Sequence, residues 1–268
     1  MMQRWQAGDE TLASALAVVR PGEGRRLIGM AVAALPKVRE KLSSGRMVIV
    51  GGTTTRHVVT ALLGEDPGRN AFAVGWIRDG TLGETPREGR GPGPFLFENG
   101  EVSRGWPGAL LERFEAGDIY IKGANALDPA GNAMVLMASP AGGTIGAAMA
   151  ILMARGGELI VPVSLAKLIP SVPAACGLLG QGRLTRVMGS PVGGMPILAG
   201  SATLITEVEA VHILYEEVQA TPVAAGGVDD CEGALVLALR GEPTAVDKVM
   251  NLLESMRRDP LRDNADHA

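Results

Sequence analysis

The chain has 268 residues, 46% of them hydrophobic and 3% aromatic, which is enough apolar material for one large domain or two smaller ones around a substantial core. A formal net charge of −4 provides no basic field for nucleic acid or for an anionic lipid surface, so neither is an expected partner. Cys176 and Cys231 have no metal-ligand spacing and His57, His212 and His267 are scattered, so neither a metal site nor a disulfide framework is expected.

The first ten residues lack the apolar centre of a signal peptide, and a cytoplasmic location is expected. A short helix is predicted over residues 9–19, followed after Pro21-Gly22 by a longer one over residues 23–42. Ile28, Val32, Leu35 and Leu42 share one stripe of it, and Pro36 predicts a bend or break. Residues 46–63 then read as strand, tight loop and helix. Met47 to Val50 are uniformly apolar, as in a strand covered on both faces, and Val58, Ala61 and Leu62 recur at helical spacing. Between them, Gly51 and Gly52 let backbone approach a ligand, Thr53, Thr54 and Thr55 offer hydroxyls to the helix start, and Arg56 falls in its first turn. This outlines an anion site at the positive end of a helix dipole. The alternative is that the glycines only make a turn and the threonines only cap.

A strand is predicted over residues 71–77 and a long glycine- and proline-rich loop over residues 78–94, whose Arg78, Arg87 and Arg90 could fold over a ligand or lie on mobile surface. Asn99-Gly100 between two short runs predicts a hairpin over residues 95–102. An amphipathic helix is expected over residues 106–116 and a strand over residues 118–122. The charge-free segment 129–154 is broken by Pro140, Gly142, Gly143 and Gly146 into a strand (133–138), a loop and a helix (144–154), which argues against a membrane span. A strand over residues 158–163 follows. Strands alternating with helices imply crossovers and a parallel sheet.

Beyond the loop at residues 189–194, strand (202–205), helix (206–217), strand (221–228), strand (233–240) and helix (243–257) form a second series. Thr206-Glu-Val-Glu209 fits a capping box and Pro243 suits a helix start. The expected class is therefore α/β, a Rossmann-like parallel sheet with a C-terminal ferredoxin-like α+β unit. Residues 1–195 would form the ligand-binding domain, 196–260 the small α+β domain and 261–268 a polar tail. A unit so small needs cover for its apolar sheet face, so a homo-oligomer is expected.

Gly51-Gly-Thr-Thr-Thr55 after one strand, Gly123-Ala-Asn125 after a later strand and Asp128-Pro-Ala-Gly-Asn132 beyond it resemble the superfamily of ribose-5-phosphate isomerase, glucosamine-6-phosphate deaminase and the CoA-transferases, over roughly residues 23–175. The resemblance implies a phosphate loop at Gly51 to Thr55 and a later loop at Gly142-Gly143-Thr144 closing over the ligand. It places Lys122-Gly123-Ala-Asn125 where the superfamily carries Gly-Ala-Asp with a catalytic aspartate. Position 125 is asparagine, which cannot act as a general acid or base. Lys122, able to polarise a carbonyl, and Asp128 remain the candidate catalytic residues, with the alternative that Lys122 closes a strand and Asp128 starts a turn.

Three functions are compatible with these residues. The first is an enzyme of the sugar-phosphate isomerase or CoA-transferase type, acting on a phosphorylated or carboxylate small molecule without a cofactor. The second is a non-catalytic regulatory binder that keeps the phosphate loop. The third is a dinucleotide-binding oxidoreductase, for which Ala141-Gly-Gly-Thr-Ile-Gly146 is one glycine short of the usual pattern and the ribose-binding acid is missing.

Overall fold

In the computed structural model, which describes residues 12–258, the chain opens with a strand, β1 (Ala13–Val19), where a helix was expected over residues 9–19. Alanine-rich composition favours a helix, but Ala17 and Val19 face the core while Leu16 and Val18 face outward, a period of two. The part of that expectation on residues 9–11, and the polar tail at 261–268, lie outside the described residues. Helix α1 (Pro21–Ala34) starts on a proline, with the Arg20 N–H donating to the Glu23 carboxylate at 2.9 Å. It breaks at Leu35, whose ψ of 127° is the extended conformation forced on a residue before proline, and α2 (Pro36–Glu40) follows.

Strand β2 (Arg46–Ile49) leads through the glycine pair to α3 (Thr55–Leu63), as the sequence predicts. Residues 71–77 do not form one strand. They divide into the end of α4 (Arg69–Phe72) and the start of β3 (Gly75–Arg78), which pairs with β4 (Thr81–Glu84). The expected long loop therefore contains a hairpin, turned by Asp79-Gly80 with φ of 50° and 68°. Strands β5 (Phe95–Glu98) and β6 (Glu101–Arg104) form the hairpin predicted around Asn99-Gly100. The helix expected over residues 106–116 is a single turn, α5 (Gly108–Leu111), before β7 (Ile119–Ile121).

Strands β8 (Ala126–Leu127) and β9 (Ala133–Met137) are joined by a short turn and are therefore antiparallel. Strand β9, expected in the parallel sheet, instead lies between β8 and a later strand of a separate small sheet. After it come α6 (Gly143–Arg155), β10 (Glu158–Pro162), α7 (Val172–Leu178), β11 (Gly193–Ile197) and β12 (Thr203–Ile205). The chain closes with α8 (Glu207–Leu214), β13 (Val218–Gly226), β14 (Ala234–Gly241) and α9 (Pro243–Arg258).

The described chain is mixed α/β around a six-stranded sheet of order β12-β10-β7-β2-β5-β6. Its first four strands are parallel and the β5–β6 hairpin is antiparallel. Strand β12, read from the sequence as the start of the C-terminal series, extends this sheet beside β10. Strands β13 and β14 pair with each other, and β1 from the other end of the chain completes the three-stranded antiparallel sheet β1-β14-β13.

Alternate residues of the parallel strands enter two cores. Met47, Ile49, Ile119, Ile121, Ile160 and Ile205 face α1, α3, α8 and the three-stranded sheet with α9. Val48, Tyr120, Leu159 and Val161 face α5, α6 and β9. Each fully buried aliphatic chain contributes about 1.5–3 kcal/mol. Helix α1 packs closely on α3 because Gly29 meets His57, where an added Cβ would lie 2.4 Å from the His57 Cβ. Among the described residues no helix is long and apolar enough to cross a membrane.

Candidate functional site

The carboxyl ends of β2, β7 and β10 open onto a cavity of about 740 Å³. Where strand β2 ends, the Val50 N–H donates to the Ile121 carbonyl at 2.9 Å, and the chain turns away through Gly51, Gly52, Thr53 and Thr54, all four of which line the cavity. Gly51 is required by packing, since a Cβ there would lie 2.1 Å from the Phe72 carbonyl oxygen. Gly52 is freer, since a Cβ there would lie 3.1 Å from the Thr55 hydroxyl oxygen and meet nothing closer. Thr55 does not line the cavity. Its hydroxyl donates to the Val50 carbonyl at 2.6 Å and holds the loop in shape. Thr54 is the N-cap of α3 and makes no side-chain cap. The Arg56 and His57 N–H groups are taken by the Gly52 and Thr54 carbonyls at 3.0 and 3.1 Å, so among the described residues the N–H groups of Thr53 to Thr55 are what this helix start leaves for an anion.

Arg56 stands apart from the expected site. It is buried and makes a two-pronged pair with Asp66, its Nε donating to Oδ1 at 2.6 Å, and this hydrogen bonding holds the Asp66 carboxyl below its ordinary pKa. The pair fixes the chain after α3, and Arg56 does not line the cavity.

On the far side of the cavity, Gly142, Gly143 and Thr144 form the start of α6. The two glycines have φ of 79° and 58°, and the helix has no side-chain cap. Tyr120, buried in β7, donates its hydroxyl to the Thr144 carbonyl at 2.7 Å and so ties this helix start to the sheet. Two helix N-termini, each with its partial positive charge, thus border one space.

Lys122 and Gly123 leave the end of β7 and also line the cavity. Among the described residues the Lys122 ammonium has neither a hydrogen bond nor an ion pair, and burial, aided by the neighbouring charge of Lys167, lowers its pKa to about 8. Asn125 lines the cavity too, and its side-chain oxygen accepts the Leu136 N–H at 3.0 Å. It thereby clasps β9 and leaves its NH₂ as the half available to a ligand.

Asp128 is placed elsewhere. Its carboxylate accepts the N–H groups of Ala130, Asn132 and Val172, at 3.0, 3.0 and 2.8 Å, and the side-chain amide of Asn132. These bonds hold its pKa below the ordinary value, with the Val172 N–H the largest cause. Asp128 therefore builds the β8–β9 turn, anchors the start of α7 and does not line the cavity.

Lys167 is the residue that sequence reading missed. It ends a 3₁₀ turn after β10, lines the cavity, and donates from Nζ to the Ala124 carbonyl at 2.7 Å. Burial, with help from the charge of Arg25, lowers its pKa to about 8, against the opposing charge of Glu207. Glu207 is itself buried and accepts the Leu165 N–H at 2.9 Å, which holds the turn that presents Lys167. The signal for Lys167 was its place in the loop that follows a parallel strand, at the edge of the sheet where such folds bind ligands.

The roof is the β3–β4 hairpin with the segment after it. Trp76 lies across Gly83, where a Cβ would be 2.2 Å from the ring, and the Arg78 guanidinium sits 5.3 Å from the ring centre. The roof is tied down at Leu82, whose N–H donates to the Met188 carbonyl at 2.9 Å and whose carbonyl accepts the Ser190 N–H at 2.8 Å. Arg90 is occupied by Glu84 and the Thr85 carbonyl, whereas Arg87 lines the cavity with no such bond among the described residues. Glu84 is the one acidic side chain among the described residues that line it. Comparison with protein-family models, with curated proteins and with solved structures finds no match to this chain.

Proposed function

We propose that the protein binds a phosphorylated or carboxylate small molecule in this cavity. The observation that carries the reading is the convergence of the Lys122 and Lys167 ammoniums with the open starts of α3 and α6 on one space that contains a single carboxylate, already paired to arginine. A chemistry of the sugar-phosphate isomerase or CoA-transferase type fits the resemblance noted in the sequence. With it goes a Rossmann-like reading of the parallel strands, a ferredoxin-like reading of β1-β14-β13 with α9, and a cytoplasmic location. The non-catalytic binder is the second reading, favoured because among the described residues that line the cavity with Asn125 the one carboxylate, Glu84, is paired to Arg90. Outward-facing Leu16, 65% exposed, and Val18 on β1 support a homo-oligomer that covers this sheet face.

The test is a thermal-shift screen of inorganic phosphate, sugar phosphates, CoA esters, NAD and NADP. A ligand at a hundred times its dissociation constant adds about 2.7 kcal/mol to stability. Stabilisation by phosphate or a phosphorylated sugar that is lost in Lys167→Met supports the reading. Indifference to every acidic ligand overturns it. Stabilisation by NAD or NADP alone favours the oxidoreductase.

A further inference from the structure

We propose that Lys122 is a covalent site: its amine condenses with the aldehyde or ketone of a small anionic molecule held in the same cavity, forming an imine. The inference rests on the anion-binding reading above and names the substrate class, a phosphorylated or carboxylated carbonyl compound.

The placement of the two lysines distinguishes their roles. Lys167 is held by the Ala124 carbonyl, so its Nζ is oriented as a fixed cation. Lys122 has no such bond and looks into the same space. The other charged groups lining the cavity are Arg87, Arg90 and Glu84, of which the last two neutralise each other. Among the described residues nothing there stabilises Lys122 as an ammonium, and Lys167 repels it, an arrangement that raises the share of the neutral amine. With a pKa of about 8, about a tenth of Lys122 would be neutral at pH 7, against about one part in three thousand for an ordinary lysine. The open starts of α3 and α6 provide the complementary half, a seat for the phosphate or carboxylate that directs the carbonyl toward the amine.

The step balances without an oxidant or a second substrate. The nitrogen lone pair attacks the carbonyl carbon, the C–O π pair moves to oxygen, and that oxygen takes up the proton that nitrogen releases. The hydroxyl of the resulting carbinolamine then leaves with a second proton, as water, and the C=N bond forms. Lys167, fixed as a cation near Lys122, would stabilise the oxygen as it gains charge.

The test uses the full chain with pyridoxal 5′-phosphate, a probe that carries an aldehyde and a phosphate, and borohydride to fix any imine for peptide mass mapping. The expected result is an adduct at Lys122 formed more than about tenfold faster than at the surface residues Lys41 and Lys248. It should be slowed by inorganic phosphate and absent in Lys122→Met, a variant whose folding is checked by its melting curve. Lys167→Met should still form the adduct at Lys122, but more slowly, because it holds the phosphate less well, and with its rate shifted to higher pH. Labelling of Lys122 no faster than of Lys248, labelling at Lys167 in its place, or labelling that phosphate leaves unchanged overturns the inference. If phosphate still raises the melting temperature in those cases, the anion-binding reading stands without the covalent step; if it does not, both fall.

Discussion

Replacing Lys122 by methionine should stabilise the protein at neutral pH while it removes a group from the cavity. Methionine keeps the length of the side chain and removes the charge. In the folded protein burial lowers the Lys122 pKa from 10.5 to about 8, so the folded state binds this proton less tightly than the unfolded chain does. Between those two values the unfolded state carries more protons, and stability rises with pH; below about 8 the cost of burying the ammonium is present in full. At about 1.4 kcal/mol for each pKa unit, the difference of 2.5 between 10.5 and about 8 sets a ceiling of about 3 kcal/mol. The side chain borders a cavity that water can enter, and a gain of about 2 kcal/mol is the expected outcome. For a chain of this size that corresponds to a rise in melting temperature of about 4–8 °C. Urea unfolding of wild type and Lys122→Met at several pH values from 7 to 10 measures it directly. The gain should shrink as pH rises through 8 and approach zero near 10.5. A variant less stable than wild type at pH 7, or a difference that does not change with pH, refutes the argument that this ammonium is buried at a cost.

For the loop after β2, Gly52→Val should abolish binding of whichever acidic ligand the screen finds. Thr54→Ala should cost only about 0.5–1.5 kcal/mol, one neutral hydrogen bond, and isothermal titration giving equal affinities for Gly52→Val and wild type would place the anion elsewhere. Gly29→Ala should destabilise by about 1–3 kcal/mol through overpacking of α1 on α3, because its Cβ would lie 2.4 Å from that of His57. Gly177→Ala in α7, whose Cβ would meet nothing within 4 Å, is the control and should gain about 0.4–1 kcal/mol; equal melting temperatures for the two variants would contradict the packing account. Gly189→Ala places a Cβ 1.9 Å from the Leu82 carbonyl oxygen at a φ of 96°. It should release the β3–β4 roof, seen as faster proteolysis within residues 75–94 and weaker ligand binding, and an unchanged digestion pattern would show that this contact does not hold the roof.

What could be read from the sequence was local. Strand, glycine pair and helix over residues 46–63 are specified by neighbours a few positions apart, as are the Asn99-Gly100 hairpin, the break before Pro36 and the capping box in which the Thr206 N–H donates to Glu209 at 2.9 Å. The loops that line the cavity were legible for the same reason, since Gly51, Gly52, Lys122 and Gly142 each lie within a few residues of a strand end or a helix start. Partnership across the chain was not legible. An alanine-rich segment became β1 because β14, more than two hundred residues later, offers it a complete antiparallel ladder. The same local rules that marked Arg56 and Asp128 as candidates could not tell that Asp66 and a ring of backbone N–H groups already occupy them. Nor could they bring Lys167 to Lys122, because that meeting depends on two adjacent parallel strands ending at the same edge of the sheet, which is decided by strand order and not by any one stretch of residues.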